Sequence, residues 1–309
     1  TIMANKGKYY ESQFEEATIE LLREAHWQYT LGDDIHRKYI DPLIEEDLRN
    51  FLAVQYKDKN LTTSEIDGIV ANLRNTGGQN DYYALRNAFL LYRDGYDFAY
   101  SDSRDNPFRM EYIDFEHPDH NIFRCVNQFV MEQGRENRRP DILLFVNGIP
   151  VCIVELKNPT KQNATIRDAH TQICTRYMRD IPALLKYCAL AVISDGAKNE
   201  LGTTYTPFEF FYEWKKIDNE DKAGKGLDTL RTLVRGALSP ERILEILRDY
   251  VYFPDPTKED DTTEVVCRYP QFFATRKLRD PILSHLRSVG GDGKGGTYFG
   301  DTGCGKTYN

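Results

Sequence analysis

Apolar residues follow a helical period over the first third of the chain and a strand pattern over its middle. Near the start, the stripe of Phe14, Thr18, Leu21 and Leu22 lines one helical face, because residues three or four apart share a face of an α-helix. The same periodicity predicts helices over residues 10–27, 42–54, 63–74, 82–92, 166–178, 227–233 and 240–250. Apolar, β-branched runs predict strands over residues 109–115, 122–131, 141–146, 149–157 and 189–194. This order of elements predicts a mixed α/β fold in which helices flank a mixed sheet.

The clearest strand signal is a pair of apolar runs that a short turn separates. Residues 141–146 and 149–154 are rich in Ile, Leu and Val, and Asn147-Gly148 lies between them. An Asn-Gly pair between apolar runs is a strong short-range signal for a β-hairpin, since both residues tolerate a positive φ. The two runs are therefore predicted to form adjacent antiparallel strands.

The register of this hairpin decides whether two carboxylates meet. A two-residue loop would place Asp141 opposite Val154 and would send Asp141 and Glu155 to opposite faces of the sheet. A three-residue loop over residues 146–148, with its glycine left-handed in a bulge, would place Asp141 opposite Ile153 and diagonal to Glu155. We predict that bulge or an equivalent one, because the two carboxylates must share a face to share a metal ion.

Asp141, Glu155 and Lys157 have the spacing of a metal-dependent nuclease site. Glu155 and Lys157 are two residues apart, so they share a face of any strand they form. Mg²⁺ prefers oxygen ligands and is commonly held by one or two carboxylates together with a substrate phosphate. The pattern predicts Asp141 and Glu155 as Mg²⁺ ligands, and Lys157 as the group that orients a water or offsets charge during phosphodiester cleavage. The alternative is that all three are solvated charges where strands end.

A second motif lies in residues 300–307, which read GDTGCGKT. They fit the phosphate-binding loop G-x-x-x-x-G-K-[ST], in which backbone amides and the lysine contact phosphates and the hydroxyl binds Mg²⁺. The cofactor-binding residues predicted by this match are Gly300, Gly303, Gly305, Lys306 and Thr307. The alternative is a glycine-rich tail. The cofactor would be ATP, although the chain alone is not expected to hydrolyse it, because no acidic Mg²⁺ partner follows the loop.

Together these motifs resemble the restriction, or motor, subunit (R subunit) of type I restriction-modification enzymes. The resemblance is carried by residues 140–157, by residues 192–196 and by residues 295–307, and it covers most of the chain. It implies an N-terminal PD-(D/E)xK nuclease domain, restriction-endonuclease-like and RecB-type, followed by RecA-like helicase domains that translocate duplex DNA using ATP. It also implies double-stranded DNA and the methyltransferase and specificity subunits as partners.

In that family, a glutamine and a tyrosine spaced Q-x-x-x-Y on a helix support the nuclease triad, which Asp141, Glu155 and Lys157 match. Here Gln172 and Tyr177 enclose one extra residue. One extra residue rotates a side chain by about 100° around an α-helix. The extra residue therefore misaligns the pair in a regular α-helix, and a π-bulge could restore the alignment.

The resemblance also assigns two residues outside the triad region. A glutamate on a helix near the start of the family's nuclease domain corresponds here to Glu11 or Glu15, with Glu15 the better candidate; solvated helix charges are the alternative. Gln271, in the segment RYPQ at residues 268–271, corresponds to a glutamine that recognises adenine. A glutamine amide can donate and accept at once, which suits adenine. An ordinary polar loop residue is the alternative for Gln271.

Composition limits the class of protein without identifying it. The 309 residues are 40% hydrophobic and 28% charged, and no run of eighteen apolar residues predicts a membrane span. The cysteines form no CxxC pair, which favours a reducing, cytoplasmic compartment and no zinc site. The net charge of −8 argues against DNA binding over the whole surface but is compatible with a local basic track.

Two further features concern organisation. The proline- and acid-rich stretch at residues 253–263 predicts a boundary between an endonuclease domain at residues 1–255 and a linker with the start of a RecA-like domain at residues 256–309. His117 and His120 have HxxH spacing, but they are predicted to lie in a loop without metal, because no further ligand cluster accompanies them.

The functional prediction is therefore a Mg²⁺-dependent endonuclease module of an R subunit, which cleaves unmodified duplex DNA in concert with an ATP-driven translocase. The alternative is a catalytically silent module of the same fold that acts as a DNA-binding or subunit-docking platform, since fold does not fix function.

Overall fold

The computed structural model describes residues 2–102, 104–157, 165–218, 227–254 and 262–295, with side chains from residue 12 onward. The predicted phosphate-binding residues lie outside these described residues, at Gly300, Gly303, Gly305, Lys306 and Thr307. None of the described helices combines the length and the apolar character that crossing a membrane requires.

Helices and strands form consecutive groups along the described residues, and all seven predicted helices are present, most of them with shifted ends. The α-helices are α1 (Ile2–Glu24), α2 (Glu45–Gln55), α3 (Thr63–Asn75), α4 (Asp81–Asp94), α5 (Ile166–Thr171), α6 (Met178–Asp180), α7 (Pro182–Leu185), α8 (Leu227–Leu233), α9 (Pro240–Asp249) and α10 (Tyr269–His285). Two π-helical segments follow α5 and α8, at Gln172–Tyr177 and Val234–Leu238. The strands are β1 (Gln28–Leu31), β2 (Tyr96–Phe98), β3 (Phe108–Met110), β4 (Phe123–Asn127), β5 (Met131–Gln133), β6 (Glu136–Arg138), β7 (Ile142–Val146), β8 (Ile149–Leu156), β9 (Leu190–Ser194), β10 (Asn199–Gly202), β11 (Tyr212–Glu213), β12 (Val251–Tyr252) and β13 (Val265–Val266).

A seven-stranded mixed sheet forms the centre of the fold, in the order β1-β4-β7-β8-β9-β10-β11. β1 runs parallel to β4 and β8 runs parallel to β9. The other neighbours in the sheet are antiparallel. The predicted mixed sheet flanked by helices is confirmed.

Both faces of the central strands are buried, which explains why their sequences are continuous apolar runs. In β7, Ile142 and Leu144 pack into a core that includes residues of α1 to α4 and α9. The alternate residues Leu143 and Phe145 pack into a second core, which includes α5, the π-helix Gln172–Tyr177 and α7. The sheet is thus held rigidly between two helical layers, and its strand ends make a fixed frame for side chains.

The structure differs from the predicted strands mainly at the edges of the sheet. The outer strands β1, β10 and β11 were not predicted, because short edge strands carry little period of their own and form through tertiary pairing. The predicted strand over residues 109–115 is wrong beyond Met110. There Tyr112 and Ile113 are fully buried without belonging to a strand, so a loop produced the apolar pattern. The strand predicted over residues 122–131 ends at Asn127, since Gln128 takes a left-handed conformation with φ of 55°.

The predicted three-residue hairpin loop is wrong, but an equivalent bulge is present. Asn147 and Gly148 both have positive φ, at 50° and 77°, and form a two-residue turn between β7 and β8. The register then shifts within the hairpin, where Phe145 pairs with Pro150 but Leu144 pairs with Cys152. Val151 is the extra residue, and it follows a proline that cannot donate a ladder hydrogen bond.

This bulge sets the register that the two carboxylates need. Ile142 pairs with Val154, so the next position places Asp141 opposite Glu155, and not opposite Ile153 as predicted. Residues directly opposite on paired strands lie on the same face. Asp141 and Glu155 therefore share a face of the sheet because β8 contains a bulge, and not because of the length of the turn.

We expect Gly148→Ala to lower the free energy of unfolding by about 2–3 kcal/mol, because it adds strain at a positive φ and a steric clash. A Cβ on Gly148 would stand 2.1 Å from the carbonyl oxygen of Ile44. The Gly148 carbonyl also accepts a 2.9 Å hydrogen bond from the Ile44 N–H, so the two backbones are held close together. Urea denaturation followed by circular dichroism measures the loss.

Gly134→Ala is the matched control, because Gly134 also has a positive φ, of 62°, but has no atom within 4 Å of an added Cβ. We expect Gly134→Ala to lower the free energy of unfolding by about 1 kcal/mol, because only the strain at a positive φ is added. Equal losses for the two variants would contradict the steric account.

Residues between 266 and 273 pack against the same core as the residues before 255. β12 pairs with β13 across residues 255–261, and Phe272 and Phe273 of α10 belong to the core that contains Trp214. The ring of Phe272 lies 5.4 Å from that of Trp214 and 5.0 Å from that of Tyr250. The domain boundary at residue 255 stays a prediction.

Candidate active site

The central hairpin places two carboxylates together where β7 begins and β8 ends. Asp141 immediately precedes β7, and Glu155 lies near the end of β8 with 1% of its surface exposed. The backbone N–H of Leu156 donates to Asp141 Oδ2 at 2.7 Å. This bond turns the Asp141 side chain toward β8, so that its carboxylate faces that of Glu155.

Four side chains form a closed hydrogen-bonded ring beside these carboxylates. Lys157 Nζ donates to Glu155 Oε1 at 2.7 Å and to Gln172 Oε1 at 2.8 Å. Gln172 Nε2 donates to the Tyr177 hydroxyl at 2.7 Å, and that hydroxyl donates to Glu155 Oε2 at 3.3 Å. Each group orients the next, so the Lys157 ammonium is fixed against the Glu155 carboxylate.

The π-helix is what brings Gln172 and Tyr177 together. They are five residues apart and span the π-helical segment Gln172–Tyr177, in which i→i+5 hydrogen bonds replace those of the α-helix. Ile173 and Tyr177 are buried in the core beneath the sheet. The π-bulge that the extra residue demanded is therefore present, while the catalytic roles of Gln172 and Tyr177 stay predictions.

Burial raises the pKa of both carboxyl groups, and the facing Glu155 carboxylate adds to the rise at Asp141. The pKa of Asp141 lies well above its ordinary value because the group is desolvated and faces Glu155. Burial likewise raises the pKa of Glu155, which the charge of Lys157 opposes. Two desolvated carboxylates with one ammonium are short of positive charge, and such perturbed pairs mark functional sites.

A third carboxylate, that of Glu15 on α1, is held near Asp141 by an amide clamp. Gln128 Nε2 donates to both Glu15 oxygens at 2.9 and 3.1 Å, and Asn127 Nδ2 donates to Oε1 at 2.8 Å. The backbone N–H of Gln128 donates to the Asp141 carbonyl at 3.3 Å. Glu15 also contributes to the raised pKa of Asp141. Glu15 is thus placed with the predicted triad and is not a freely solvated helix charge.

Sequence reasoning missed Asn127 and Gln128. The only sequence signal was that two amides follow an apolar strand, a common arrangement. The structural signal is stronger, because Gln128 is a non-glycine residue with φ of 55°, and such strained residues cluster at functional sites. Gly32 packs so closely on this corner that an added Cβ would stand 2.6 Å from the Gln128 carbonyl oxygen.

The residues that converge here fit a hard divalent cation. Asp141 and Glu155 offer carboxylate oxygens on one face, which are the ligands Mg²⁺ prefers, and Glu15 stands behind Asp141. A cation between Asp141 and Glu155 would favour the ionised form of both carboxyl groups, which burial disfavours in each and the Glu155 charge disfavours further at Asp141. Lys157 and Tyr177 already donate hydrogen bonds to Glu155, and Gln172 bonds to both of them, so the orientation of Glu155 is set in advance.

Gln271 lies in the first turn of α10 and is mostly buried. Its Oε1 accepts a 2.8 Å hydrogen bond from the backbone N–H of Arg268, which caps the helix. Adenine recognition by Gln271 stays a prediction.

Comparison with known proteins identifies the family. The family model described as "Type I restriction enzyme R protein N terminus" matches residues 8–210. The HindI type I restriction enzyme endonuclease subunit of Haemophilus influenzae is 29% identical over 97% of this chain and 29% of its own length. A provisionally named MjaIXP type I endonuclease subunit of Methanocaldococcus jannaschii is 27% identical over 88% of this chain and 28% of its own length.

The chain spans less than a third of the length of either relative. The family match covers the whole central hairpin, the π-helix and α1 from residue 8. This protein therefore belongs to the family of the type I restriction enzyme R protein N terminus.

Proposed function

We propose that this chain is the Mg²⁺-dependent endonuclease module of a type I restriction enzyme R subunit, that its sheet is of the PD-(D/E)xK type, and that it cleaves unmodified duplex DNA. The observation that carries the proposal is the meeting of Asp141, Glu155 and Lys157 at one end of the central hairpin. The shortage of positive charge there supports binding of a divalent cation, and that cation together with Lys157 would offset the charge of a DNA phosphate.

Each residue of the site then has a definite task. Mg²⁺, when bound, would polarise the scissile phosphate and lower the pKa of a bound water. Asp141 and Glu155 hold the cation. Lys157 presents a donor and a positive charge to the reacting phosphate, and its position is set by Gln172, which Tyr177 orients in turn.

The remaining parts of the proposal concern the rest of the R subunit. Residues 256–309 would begin a RecA-like motor domain that binds ATP through Gly300, Gly303, Gly305, Lys306 and Thr307, with Gln271 at the adenine. The motor would translocate double-stranded DNA in the cytoplasm, together with methyltransferase and specificity subunits. The names of the relatives, which are endonuclease subunits of type I restriction enzymes, support this assembly.

The proposed function is tested by nicking of supercoiled plasmid with Mg²⁺ or with EDTA. The assay uses the chain alone and the R subunit assembled with its partner subunits. We expect Mg²⁺-dependent nicking that falls at least about 100-fold in Lys157→Ala, because a positioned charge at the reacting phosphate is lost. Lys215→Ala is the matched control, since Lys215 forms a half-exposed ion pair with Glu213.

Cleavage that survives EDTA, or that Lys157→Ala leaves intact, would refute the proposed chemistry. DNA binding without cleavage in the assembled enzyme would instead support the docking-platform alternative.

Gln172→Ala is expected to lower the Mg²⁺-dependent cleavage rate by about tenfold without unfolding the protein. The substitution removes the acceptor for Lys157 and the donor to Tyr177, so the ammonium loses its fixed position but keeps its charge. A charge that must find its orientation during the reaction stabilises the transition state less. Single-turnover rates at saturating Mg²⁺ measure the effect.

Thr175→Ala is the control for this variant, because Thr175 lies on the exposed side of the same π-helix. We expect its rate to match the wild type within about twofold. A similar loss in both variants would mean that the π-helix, and not the Gln172 amide, limits cleavage.

A further inference from the structure

Three potential metal ligands converge in the loop that leads into β4. His120 Nδ1 lies 2.9 Å and His117 Nδ1 lies 3.3 Å from the same oxygen, Asp114 Oδ2. One ligand atom from each of the three residues lies within 4.8 Å of the other two. The two imidazole rings are stacked, with centroids 4.8 Å apart. The prediction of a loop is confirmed, but the expectation that no further ligand accompanies the histidines is wrong.

Hydrogen bonds from the surrounding residues hold the Asp114 carboxylate in a fixed orientation. Asp114 Oδ1 accepts the backbone N–H groups of Glu116 and His117 at 3.0 and 2.9 Å, and Gln55 Nε2 donates to Oδ2 at 2.9 Å. Asn121 accepts from the Asp114 N–H at 2.9 Å and donates to its carbonyl at 2.7 Å. Only 5% of the Asp114 side chain is exposed. Its carboxylate therefore cannot turn away from the two imidazoles.

We propose that Asp114, His117 and His120 form a second metal site, which takes Zn²⁺ or a similar borderline divalent cation. Two imidazoles and one carboxylate are a common ligand set for such ions and a poor one for Mg²⁺. Ligands at about 2.1 Å from a tetrahedral ion lie about 3.4 Å apart, close to the separations of 2.9 and 3.3 Å. The outer hydrogen bonds to Asp114 are of the kind that orient metal-binding carboxylates.

The site is separate from the proposed nuclease centre. It precedes the start of β4, where Phe123 pairs with Val146, whereas the nuclease carboxylates adjoin the other end, where Asn127 pairs with Ile142. The Asn121 side chain joins the site to the hairpin turn by accepting a 2.8 Å bond from Asn147 Nδ2. A metal ion bound here would fix the loop next to the turn of the central hairpin and would not take part in cleavage.

One side of the site faces solvent. The side chains of His117 and His120 are 62% and 49% exposed, so a bound ion would complete its coordination with water. Both histidines can be replaced without opening the core, which makes the proposal testable in folded protein.

Titration with Co²⁺ and then Zn²⁺, on protein without a polyhistidine tag, tests the proposal by absorption spectroscopy and calorimetry. We expect about one Zn²⁺ per chain in the wild type and in Asp141→Asn. The double variant His117→Asn/His120→Asn should bind at least about 100-fold more weakly, because losing ligands costs more than losing their outer hydrogen-bond partners. His36→Asn, at an exposed histidine elsewhere, should bind as the wild type does.

Zn²⁺ binding that persists in the double variant but disappears in Asp141→Asn would overturn the proposal, because the ion would then belong to the nuclease carboxylates. Absence of Zn²⁺ binding by folded wild-type protein would also overturn it and would leave the cluster as a hydrogen-bonded loop. Circular dichroism of the double variant confirms that it is folded. Neither result depends on whether the chain cleaves DNA.

Discussion

Asp141→Asn is expected to lower the Mg²⁺-dependent cleavage rate by at least about 1000-fold, an effect of about 4 kcal/mol on the barrier. The substitution removes one of two charged oxygen ligands and leaves the shape of the side chain unchanged. The asparagine oxygen can still accept the 2.7 Å bond from the Leu156 N–H, so the turn into β7 is preserved. Single-turnover cleavage of plasmid, over a range of Mg²⁺ concentrations, measures the loss.

Asp195→Asn is the matched control, because Asp195 follows β9, the strand next to β8, and thus lies at the same edge of the sheet. Its Oδ1 accepts the backbone N–H groups of Ala197 and Lys198, which an asparagine oxygen also accepts. We expect its rate to stay within about twofold of the wild type. Equal losses of activity in the two variants would mean that loss of any negative charge at this end of the strands slows cleavage. That result would refute the specific ligand role of Asp141.

The convergence of Asp141, Glu155 and Lys157 could be predicted because it follows from local sequence patterns. The Asn-Gly turn and two apolar runs defined the hairpin, and period-two geometry placed Glu155 and Lys157 on one face. The register was harder, because it depends on where a bulge forms. Pro150 offers a reason for the bulge at Val151 only once β8 is known to be a central strand.

The π-helix at Gln172–Tyr177 was only partly predictable from the sequence. The extra residue between Gln172 and Tyr177 created a specific geometric problem, and only one kind of helix solves it. The problem was visible in the sequence, while its solution required Ile173 and Tyr177 to be anchored in the core.

Contacts between distant segments were beyond sequence reasoning. Glu15 meets Asn127 and Gln128 across more than a hundred residues, and such long-range pairs arise from tertiary packing. Asp114 is close in sequence to His117 and His120, but the conformation of their loop decides whether the three side chains meet. Neither kind of contact leaves a periodic signal in the sequence.

Asp141→Asn is also expected to raise the melting temperature of the metal-free protein by about 3–6 °C at neutral pH. The pKa values of Asp141 and Glu155 are raised by burial and, for Asp141, by the facing Glu155 carboxylate. The folded state therefore binds protons more tightly than the unfolded state, and stability falls as pH rises from the ordinary carboxyl pKa to the raised values. The asparagine variant lacks one of these charges and escapes much of that penalty.

Melting curves of wild type and Asp141→Asn from pH 5 upward, with EDTA or with Mg²⁺, check this linkage. With EDTA, the stability advantage of the variant should grow as pH rises from 5 through the raised pKa values and should be smallest at the acid end of the range, where the buried carboxyl groups stay protonated in the folded state. Mg²⁺ should raise the melting temperature of the wild type more than that of the variant, because a ligand that binds the folded state stabilises it. An advantage that is independent of pH would contradict the proposed linkage to the raised pKa values. An equal response of both proteins to Mg²⁺ would show that Asp141 and Glu155 do not share a cation. In that case the raised pKa values would reflect burial alone, and the loss of cleavage in Asp141→Asn would need another cause.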